Sequence, residues 1–319
     1  MRLCRFNLDE LILTGFYSDD HVIPIDQASE AYCEELGVEL LLPTTEDLLD
    51  LLPPEGCSSH VVAELARWVD GLDPDARAEL ALPIESVQLL VPIAHPNKIF
   101  LLAGNYAKHV AEGGGTVVTR EDSFPYVFLK PPTTTLTHPG DPIVIPAMSP
   151  DYVDWECELG VVIGRACRDV DEEEALDYVA GYTIVNDISD RKLTLSDAIT
   201  SRERDSFFRW LMGKWHDTFC PVGPCVLSAD AVADPQALAI QLTVNGEVMQ
   251  DATTADMIFP VAAILSFLSR FVTLEPGDII ATGTPSGVGA ASDTYLKPGD
   301  VVRATIVGIG DLENPVEAE

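Results

Sequence analysis

The chain has 319 residues, of which 47% are hydrophobic, and its 52 acidic and 19 basic residues give a formal net charge of -33. This composition predicts a folded globular protein and excludes nucleic acid and anionic membranes as partners, because both are themselves polyanions. The longest apolar runs are far shorter than the roughly 18 residues that a membrane-spanning helix needs. The amino terminus lacks an apolar stretch of signal-peptide length, so a cytoplasmic protein is expected.

The cysteine and lysine contents also bear on the environment of the protein. The seven cysteines include no C-x-x-C pair, which favours reduced, packed thiols over a disulfide framework. Only six of the bases are lysines. Such a surface is typical of a protein adapted to a salty cytoplasm, where counter-ions screen self-repulsion, and equally of an ordinary acidic enzyme. Composition leaves both alternatives open.

Residues 1–92 are predicted to form a small α+β domain of their own. Alternating apolar patterns and a turn at Asp19-Asp20 predict short strands. Two helices are expected after them, the first of which Thr44 or Thr45 would cap. The predicted strands are 3–6, 11–16 and 21–24, and the predicted helices are 45–52 and 58–72. None of these residues forms a cluster with obvious chemistry.

A histidine and a glutamate follow the next predicted strand, 97–103. If the residues after Tyr106 form a helical turn, His109 and Glu112 share one face and can form a hydrogen bond. A carboxylate bound to one ring nitrogen fixes the tautomer and makes the other nitrogen a better base. The three glycines at 113–115 predict a mobile segment that closes over a substrate. An ordinary surface ion pair is the alternative interpretation of the same residues.

Two further glutamates precede an apolar, β-branched run that ends at Gly164 and predicts a buried strand. Glu156 and Glu158 are two residues apart, so their side chains leave such a strand on the same face. At about 4 Å in an effective dielectric of about 20, two carboxylates repel by roughly 4 kcal/mol. The only basic residues between 151 and 190 are Arg165 and Arg168, which lie past the strand. A bound cation is therefore the simpler neutraliser.

Asp187, at the end of a second apolar strand, supplies a third carboxylate. Three carboxylates without a His or Cys cluster suit a hard ion, Mg²⁺, Mn²⁺ or Ca²⁺, and not zinc. The alternative is that the glutamates are solvated on an edge strand. Further along, Asn245-Gly246 predicts a hairpin, and Gly283 to Gly287 a tight loop. Many strands with few long helices predict an α+β fold that is mainly β.

Several ordered motifs together resemble the fumarylacetoacetate hydrolase family. They begin with P-N-K-I-F-L-L-A-G-N-Y-x-x-H at 96–109, F-L-K-P at 128–131 and the E-x-E strand, followed by G-Y-T-I-V-N-D-I-S-D-R. The series continues with G-K-W-H-D-T-F-C-P-V-G-P at 213–224, V-N-G-E-V-M-Q at 244–250 and L-E-P-G-D-I-I-A-T-G-T-P-S-G-V-G at 274–289. The resemblance covers residues 92–316 and thins towards the amino terminus.

This resemblance implies a catalytic domain over residues 93–319, a homodimer and roles for individual residues. It implies that His109 and Glu112 form a catalytic dyad on a lid, with Lys214 as a further catalytic residue, and that Glu156, Glu158 and Asp187 bind the metal. The implied substrate contacts are Tyr106, Lys130, Arg191, Gln250, Gly283 and Thr284. From its own residues, Arg191 has two possible roles, holding an acid in place or binding a substrate carboxylate. Trp215 stands where the family commonly has a small hydroxyl residue, so the pocket beside Lys214 could differ in shape.

The expected activity is divalent-metal-dependent hydrolysis of a carbon–carbon bond in an acylpyruvate or 1,3-dicarbonyl acid. The same site would serve decarboxylation, isomerisation or hydration of a keto acid, and the fold alone does not decide among these. A non-catalytic acidic metal-binding protein is the alternative from another class. In each of these enzymatic hypotheses the partner is a small keto acid.

Overall fold

The computed structural model describes residues 1–43, 45–193, 195 and 202–319. Its amino-terminal part holds five strands, β1 (Arg2–Leu8), β2 (Leu11–Tyr17), β3 (His21–Pro24), β4 (Leu82–Pro83) and β5 (Gln88–Leu90), and three helices, α1 (Ile25–Leu36), α2 (Ser59–Gly71) and α3 (Pro74–Leu80). The three predicted strands and the second predicted helix are confirmed. The helix predicted at 45–52 is wrong, because only the 3-10 turn Leu48–Asp50 forms there. Thr44, one predicted cap, lies outside the described residues, and Asp47 caps the turn instead.

The remaining strands belong mainly to two sheets. They are β6 (Ile99–Ala103), β7 (Tyr126–Lys130), β8 (Leu136–Thr137), β9 (Ile143–Ile145), β10 (Val153–Asp154), β11 (Cys157–Ile163), β12 (Val179–Asn186), β13 (Ser189–Asp190), β14 (Cys220–Ser228), β15 (Ala239–Val244), β16 (Glu247–Thr253), β17 (Ile279–Ala281), β18 (Val301–Ile306) and β19 (Gly310–Ala318). Among the described residues, the helices between these strands are α4 (Ala107–Glu112), α5 (Asp205–Met212), α6 (Val261–Ser269) and α7 (Gly289–Ser292).

The larger sheet has twelve strands, ten of them in the order β4-β3-β2-β1-β14-β12-β11-β17-β6-β7. Strand β5 pairs with β1, and β8 pairs with β14. A five-stranded sheet follows the order β16-β15-β18-β19-β9, and β10 pairs with β13. The predicted hairpin is confirmed, since β15 and β16 pair across Asn245 and Gly246, both of which have positive φ. The fold is therefore α+β and mainly β, as predicted.

Two apolar cores lie on opposite faces of the large sheet. Along β11, Leu159 and Val161 pack into the core that also contains the five-stranded sheet and α6, and Val162 packs into the other core. Helices α1 and α2 cover that second face. Because side chains alternate along a strand, β11 feeds both cores and is buried along its whole length.

The amino-terminal strands extend the large sheet, since β1 pairs antiparallel with β14 at Leu3↔Val226. The division into domains at residues 92 and 93 stays a prediction. In the part of the chain that the structure describes, no helix is long and apolar enough to cross a membrane.

Candidate active site

Three buried carboxylates converge where β11 and β12 meet. Glu158 lies on β11 and Glu156 precedes that strand, while Asp187 directly follows β12. The two segments are fixed to each other because the Asp187 amide donates to the Glu156 carbonyl oxygen at 2.9 Å. One oxygen atom from each of the three side chains lies within 4.8 Å of the others. The acidic cluster predicted from the E-x-E spacing and Asp187 therefore forms.

Three basic side chains reach this cluster from outside segment 151–190. The ammonium of Lys214 lies 2.8 Å from Glu156 Oε2 and 2.6 Å from Asp187 Oδ2. Lys130 Nζ lies 2.8 Å from Asp187 Oδ1, and Arg191 Nη2 lies 2.6 Å from Glu156 Oε1. The argument that a bound cation is the simpler neutraliser considered only bases between 151 and 190, and it therefore missed these three side chains.

The three carboxyl groups nevertheless have different electrostatic environments. Burial favours the neutral form of Glu156, but Lys214 and Arg191 outweigh that effect and hold its pKa below the ordinary range. Burial, followed by the charges of Asp187 and Glu156, raises the pKa of Glu158 well above its ordinary value of 4.5. Burial also raises the pKa of Asp187, against the opposing effect of Lys130 and Lys214. Glu158 is thus the carboxyl group that the bases neutralise least.

These residues fit a hard divalent ion. Glu158 Oε2 accepts from the amide of Gly283 at 2.7 Å, but its buried Oε1 has no hydrogen-bond partner among the described residues. A buried oxygen without a partner is costly, and a cation beside it would remove that cost. Glu156, Glu158 and Asp187 offer only oxygen ligands, which suits Mg²⁺, Mn²⁺ or Ca²⁺. They are the residues that could hold such an ion.

The predicted histidine–glutamate pair forms on the short helix α4. His109 Nδ1 lies 2.8 Å from Glu112 Oε1, and each side chain is 19% exposed. Glu112 also accepts from the amide of Gly287, at 2.9 Å to Oε2 and 3.2 Å to Oε1. The helix is therefore anchored to the loop after β17 through the same carboxylate that orients the imidazole. Nδ1 faces Glu112, which leaves Nε2 for proton transfer.

His109 shares a small cavity of about 50 Å³ with Glu156 of the acidic cluster. The cavity is lined by Leu102, Ala103, Gly104, His109, Phe128, Glu156, Arg191, Trp210, Lys214 and Thr284. Of the residues predicted for the site, the structure thus brings five together around one space. Phe128 and Trp210 were not predicted, and the Lys214 ammonium lies 5.2 Å and 5.9 Å from their ring centres.

Four predicted substrate contacts are not part of the cavity lining. Lys130 is buried behind Asp187, and its ammonium also donates to two carbonyl oxygens. Gln250 is buried too, and its amide bonds to Cys157 N, Thr284 Oγ1 and Pro285 O. The Gly283 amide binds Glu158, as described above. Tyr106 is buried with no partner for its hydroxyl among the described residues. Contacts from these four residues to a substrate stay predictions.

The structure changes the interpretation of two other residues. Trp215 is 41% exposed and donates to the Leu129 carbonyl oxygen at 3.0 Å, so it does not shape the cavity beside Lys214. Asp154 was missed, although it is buried and receives Arg191 Nε at 2.8 Å. Its spacing, two residues before Glu156 and four before Glu158, was the signal that could have identified it.

Comparison with known proteins agrees with this geometry. Residues 98–317 match the family model of the fumarylacetoacetate (FAA) hydrolase C-terminal domain. The mitochondrial oxaloacetate tautomerase of Xenopus laevis is 40% identical over 233 residues, which are 72% of this chain and 69% of that protein. The 2,4-didehydro-3-deoxy-L-rhamnonate hydrolase of Sphingomonas sp. strain SKA58 is 44% identical over 229 residues, or 71% of this chain and 75% of that protein.

The whole chain also resembles solved structures. The crystal structure of maleylpyruvate hydrolase from Sphingobium sp. SYK-6, in complex with manganese(II) ion and pyruvate, has a TM-score of 0.71 at 30% identity, covering 100% of this chain and 99% of that chain. The family match over more than half of the sequence, together with these relatives, shows that the chain belongs to the fumarylacetoacetate hydrolase family.

Proposed function

We propose that this protein is a divalent-metal-dependent enzyme that acts on keto acids and that it hydrolyses the carbon–carbon bond of an acylpyruvate. The observation that carries the proposal is the cavity shared by His109, Glu156, Arg191 and Lys214, in which a histidine linked to a carboxylate faces the acidic cluster. Relatives named as a keto-acid tautomerase and as hydrolases support the reaction class.

The ion would be held by Glu156, Glu158 and Asp187. When bound, it supplies Lewis-acid polarisation of a carbonyl oxygen. Mn²⁺ is a good first choice for experiments because a relative of similar fold has been solved with manganese.

Arg191 and Lys214 are placed to bind the charged end of the substrate. Two of the three donors of Lys214 reach Glu156 and Asp187, which leaves one N–H for an oxygen atom in the cavity. Arg191 uses Nε and Nη2 on acids, and its guanidinium has further donors that suit a carboxylate. The two side chains can therefore orient an α-keto acid towards His109.

In the proposed hydrolysis, His109 takes a proton from water, and the resulting hydroxide adds to the distal carbonyl carbon of the acylpyruvate. The carbon–carbon bond between that carbon and the methylene group breaks. Its electron pair passes to the pyruvate part as an enolate, whose oxygen accepts from Lys214. His109 returns the proton to the methylene carbon, and the products are a carboxylic acid and pyruvate. Glu112 holds the imidazole and stabilises its charged form throughout.

Closure of the cavity protects this chemistry from bulk water. Helix α4 covers the cavity with His109, and the Glu112 contact to Gly287 holds the helix in place. A water-poor site strengthens the interactions of the Lys214 and Arg191 charges with the developing enolate. Movement of α4 would widen the entrance for a substrate, and the glycines that follow the helix would allow it.

A second candidate is tautomerisation of a small keto diacid such as oxaloacetate. It is favoured by the 40% identity to an oxaloacetate tautomerase. This reaction needs His109 as a base and acid but needs no attacking water.

The homodimer is also a proposal, supported by family resemblance alone, and sedimentation velocity tests it.

The test is a panel of acylpyruvates and oxaloacetate, assayed with Mn²⁺ or Mg²⁺ by loss of enol absorbance and by product analysis. We expect pyruvate and a second acid in equal amounts. The variant His109→Gln should lose hydrolysis by about 10² to 10⁴-fold while Mn²⁺ still binds, and His60→Gln, at an exposed histidine on α2, should behave like the unaltered protein. Interconversion of oxaloacetate tautomers without any cleavage of acylpyruvates would favour the second candidate, and unchanged turnover in His109→Gln would refute the role of the dyad.

A further inference from the structure

The carboxylate of Asp154 has a complete set of hydrogen bonds although it is wholly buried. Its Oδ1 accepts from the amides of Trp155 at 2.8 Å and Gly289 at 2.6 Å. Its Oδ2 accepts from the amide of Ala290 at 3.0 Å and from Arg191 Nε at 2.8 Å. Four donors from three separate parts of the chain therefore meet on one carboxylate. A carboxylate bonded in this way fixes those parts relative to one another.

The first of these parts contains Arg191, which contacts the acidic cluster. Arg191 Nη2 lies 2.6 Å from Glu156 Oε1, and both side chains line the cavity. With Nε bound to Asp154, Nη2 of the same guanidinium contacts Glu156. Asp154 thus sets the orientation of the arginine relative to a predicted metal ligand without itself reaching the cavity.

A second part leads to the catalytic histidine through the loop 287–290. The Trp155 indole donates to the Gly287 carbonyl oxygen at 3.1 Å, and the Gly287 amide donates to Glu112 at 2.9 Å. Glu112 in turn binds His109 at 2.8 Å. Gly287 has a φ of +103°, and a Cβ atom there would lie 2.0 Å from the Met249 carbonyl oxygen. The loop is therefore closely fitted and can transmit a displacement from Asp154 to the helix α4.

We propose that Asp154 is a positioning residue that couples the docking of α4 to the orientation of Arg191. It holds the loop that anchors Glu112, and at the same time it holds the guanidinium that pairs with Glu156. The effect on turnover rests on the proposed function above, whereas the coupling between α4 and Arg191 depends only on the fold. A buried carboxylate that only supported folding would not connect these two elements in particular.

The test is hydrogen–deuterium exchange measured by mass spectrometry on the intact protein. In Asp154→Asn the side-chain NH₂ faces a donor, so amides in both 284–293 and 107–115 should exchange about tenfold faster than in the unaltered protein. The control is Asp278→Asn, which alters another buried carboxylate, one paired with Lys98 at 2.9 Å near the far end of β11. It should leave exchange in 107–115 unchanged. Faster exchange in 284–293 alone, with 107–115 unaffected, would overturn the proposal.

A second variant covers the possibility that Asp154→Asn does not fold. Trp155→Phe keeps a buried aromatic ring, although a smaller one, and removes the indole donor to Gly287, and it should accelerate exchange in 107–115 by a smaller factor. No acceleration there would count against the coupling. If a substrate of the panel is turned over, Asp154→Asn and Glu112→Gln should have non-additive effects on kcat, and additive effects would contradict the kinetic part. If no substrate is found, the proposed function fails, while the exchange data still decide whether Asp154 couples the two elements.

Discussion

Binding of a divalent ion should release a proton from Glu158, and this follows from the unequal environments of the three carboxyl groups. Burial, then the charges of Asp187 and Glu156, raises the pKa of Glu158 well above its ordinary value. The unloaded protein therefore keeps Glu158 protonated at pH values where an exposed glutamate is ionised. A hard cation binds the ionised carboxylate, so it must displace this proton.

The expected magnitude follows from one proton exchanged per ion. Below the pKa of Glu158 in the folded protein, the affinity for the ion should rise about tenfold per pH unit, or about 1.4 kcal/mol. The stability of the unloaded protein should change in the opposite direction. The contribution from neutral Glu158 is complete below its unfolded pKa, near the ordinary 4.5, and is lost as the pH rises through the raised folded pKa.

The assay is calorimetric titration with Mn²⁺ at about pH 5 and about pH 6, just above the ordinary glutamate pKa, each in two buffers of different ionisation enthalpy, which together report the protons released. Glu158→Gln mimics the neutral carboxyl group, so it should fold, bind Mn²⁺ at least about 100-fold more weakly and release fewer protons than the unaltered protein. Glu247→Gln, at an exposed position on β16, is the matched control. The same affinity at both pH values, or no proton release by the unaltered protein, would refute the reasoning.

Three further predictions concern Lys214, Gly287 and Trp215. Lys214→Met leaves two buried carboxylates without their shared ammonium and should lower the free energy of unfolding by about 3–5 kcal/mol in urea titrations, whereas Lys108→Met, at an exposed lysine, should not. Gly287→Ala places a Cβ atom 2.0 Å from a carbonyl oxygen and should reduce kcat and the melting temperature. Gly299→Ala, with a similar φ of +95° but no atom within 4 Å, should cost only the backbone strain in thermal melts. Trp215→Ser should change KM less than about twofold, because the indole lies outside the cavity.

Each of these three predictions has an outcome that contradicts it. Equal unfolding free energies for the Lys214 variant and the unaltered protein would show that its carboxylates are neutralised by other groups. Equal effects of the two glycine substitutions would show that strain, and not the close approach of Gly287 to Met249, governs that loop. A large change of KM in Trp215→Ser would place the indole in the path of the substrate.

Strand periodicity predicted the acidic cluster because its physical basis is local. The β-branched run after Glu158 specifies β11, and a period of two then places Glu156 and Glu158 on one side of the chain. Asp187 was added because it ends a second apolar strand, and the family motif supported it, but its proximity to the glutamates depends on the antiparallel pairing of β11 with β12. The hairpin at Asn245 could also be predicted from sequence, because the preference of Asn-Gly for a tight turn is local as well.

The charge balance of the cluster could not be predicted from nearby residues. Lys214 reaches Glu156 across 58 positions of the chain, and Lys130 reaches Asp187 from β7. Their sequence neighbourhoods contain nothing that specifies this meeting. Helix α1 is a different case, because Ile25, Ala28 and Tyr32 have helical spacing and are buried. This helical spacing is visible in the sequence, but the helix was not predicted.

The position of Asp154 shows where sequence reasoning about a site reaches its limit. The residue stands two positions before Glu156, but β10 ends at Asp154 and β11 begins only at Cys157, so a strand pattern does not connect them. Its function depends on partners that pattern analysis does not detect, because the amides of Gly289 and Ala290 belong to the backbone. Backbone donors are the same at every residue except proline, and only the fold decides which of them are aimed at a carboxylate. A residue that acts through backbone amides is therefore found from structure, while one that acts through a charged side chain can be proposed from sequence.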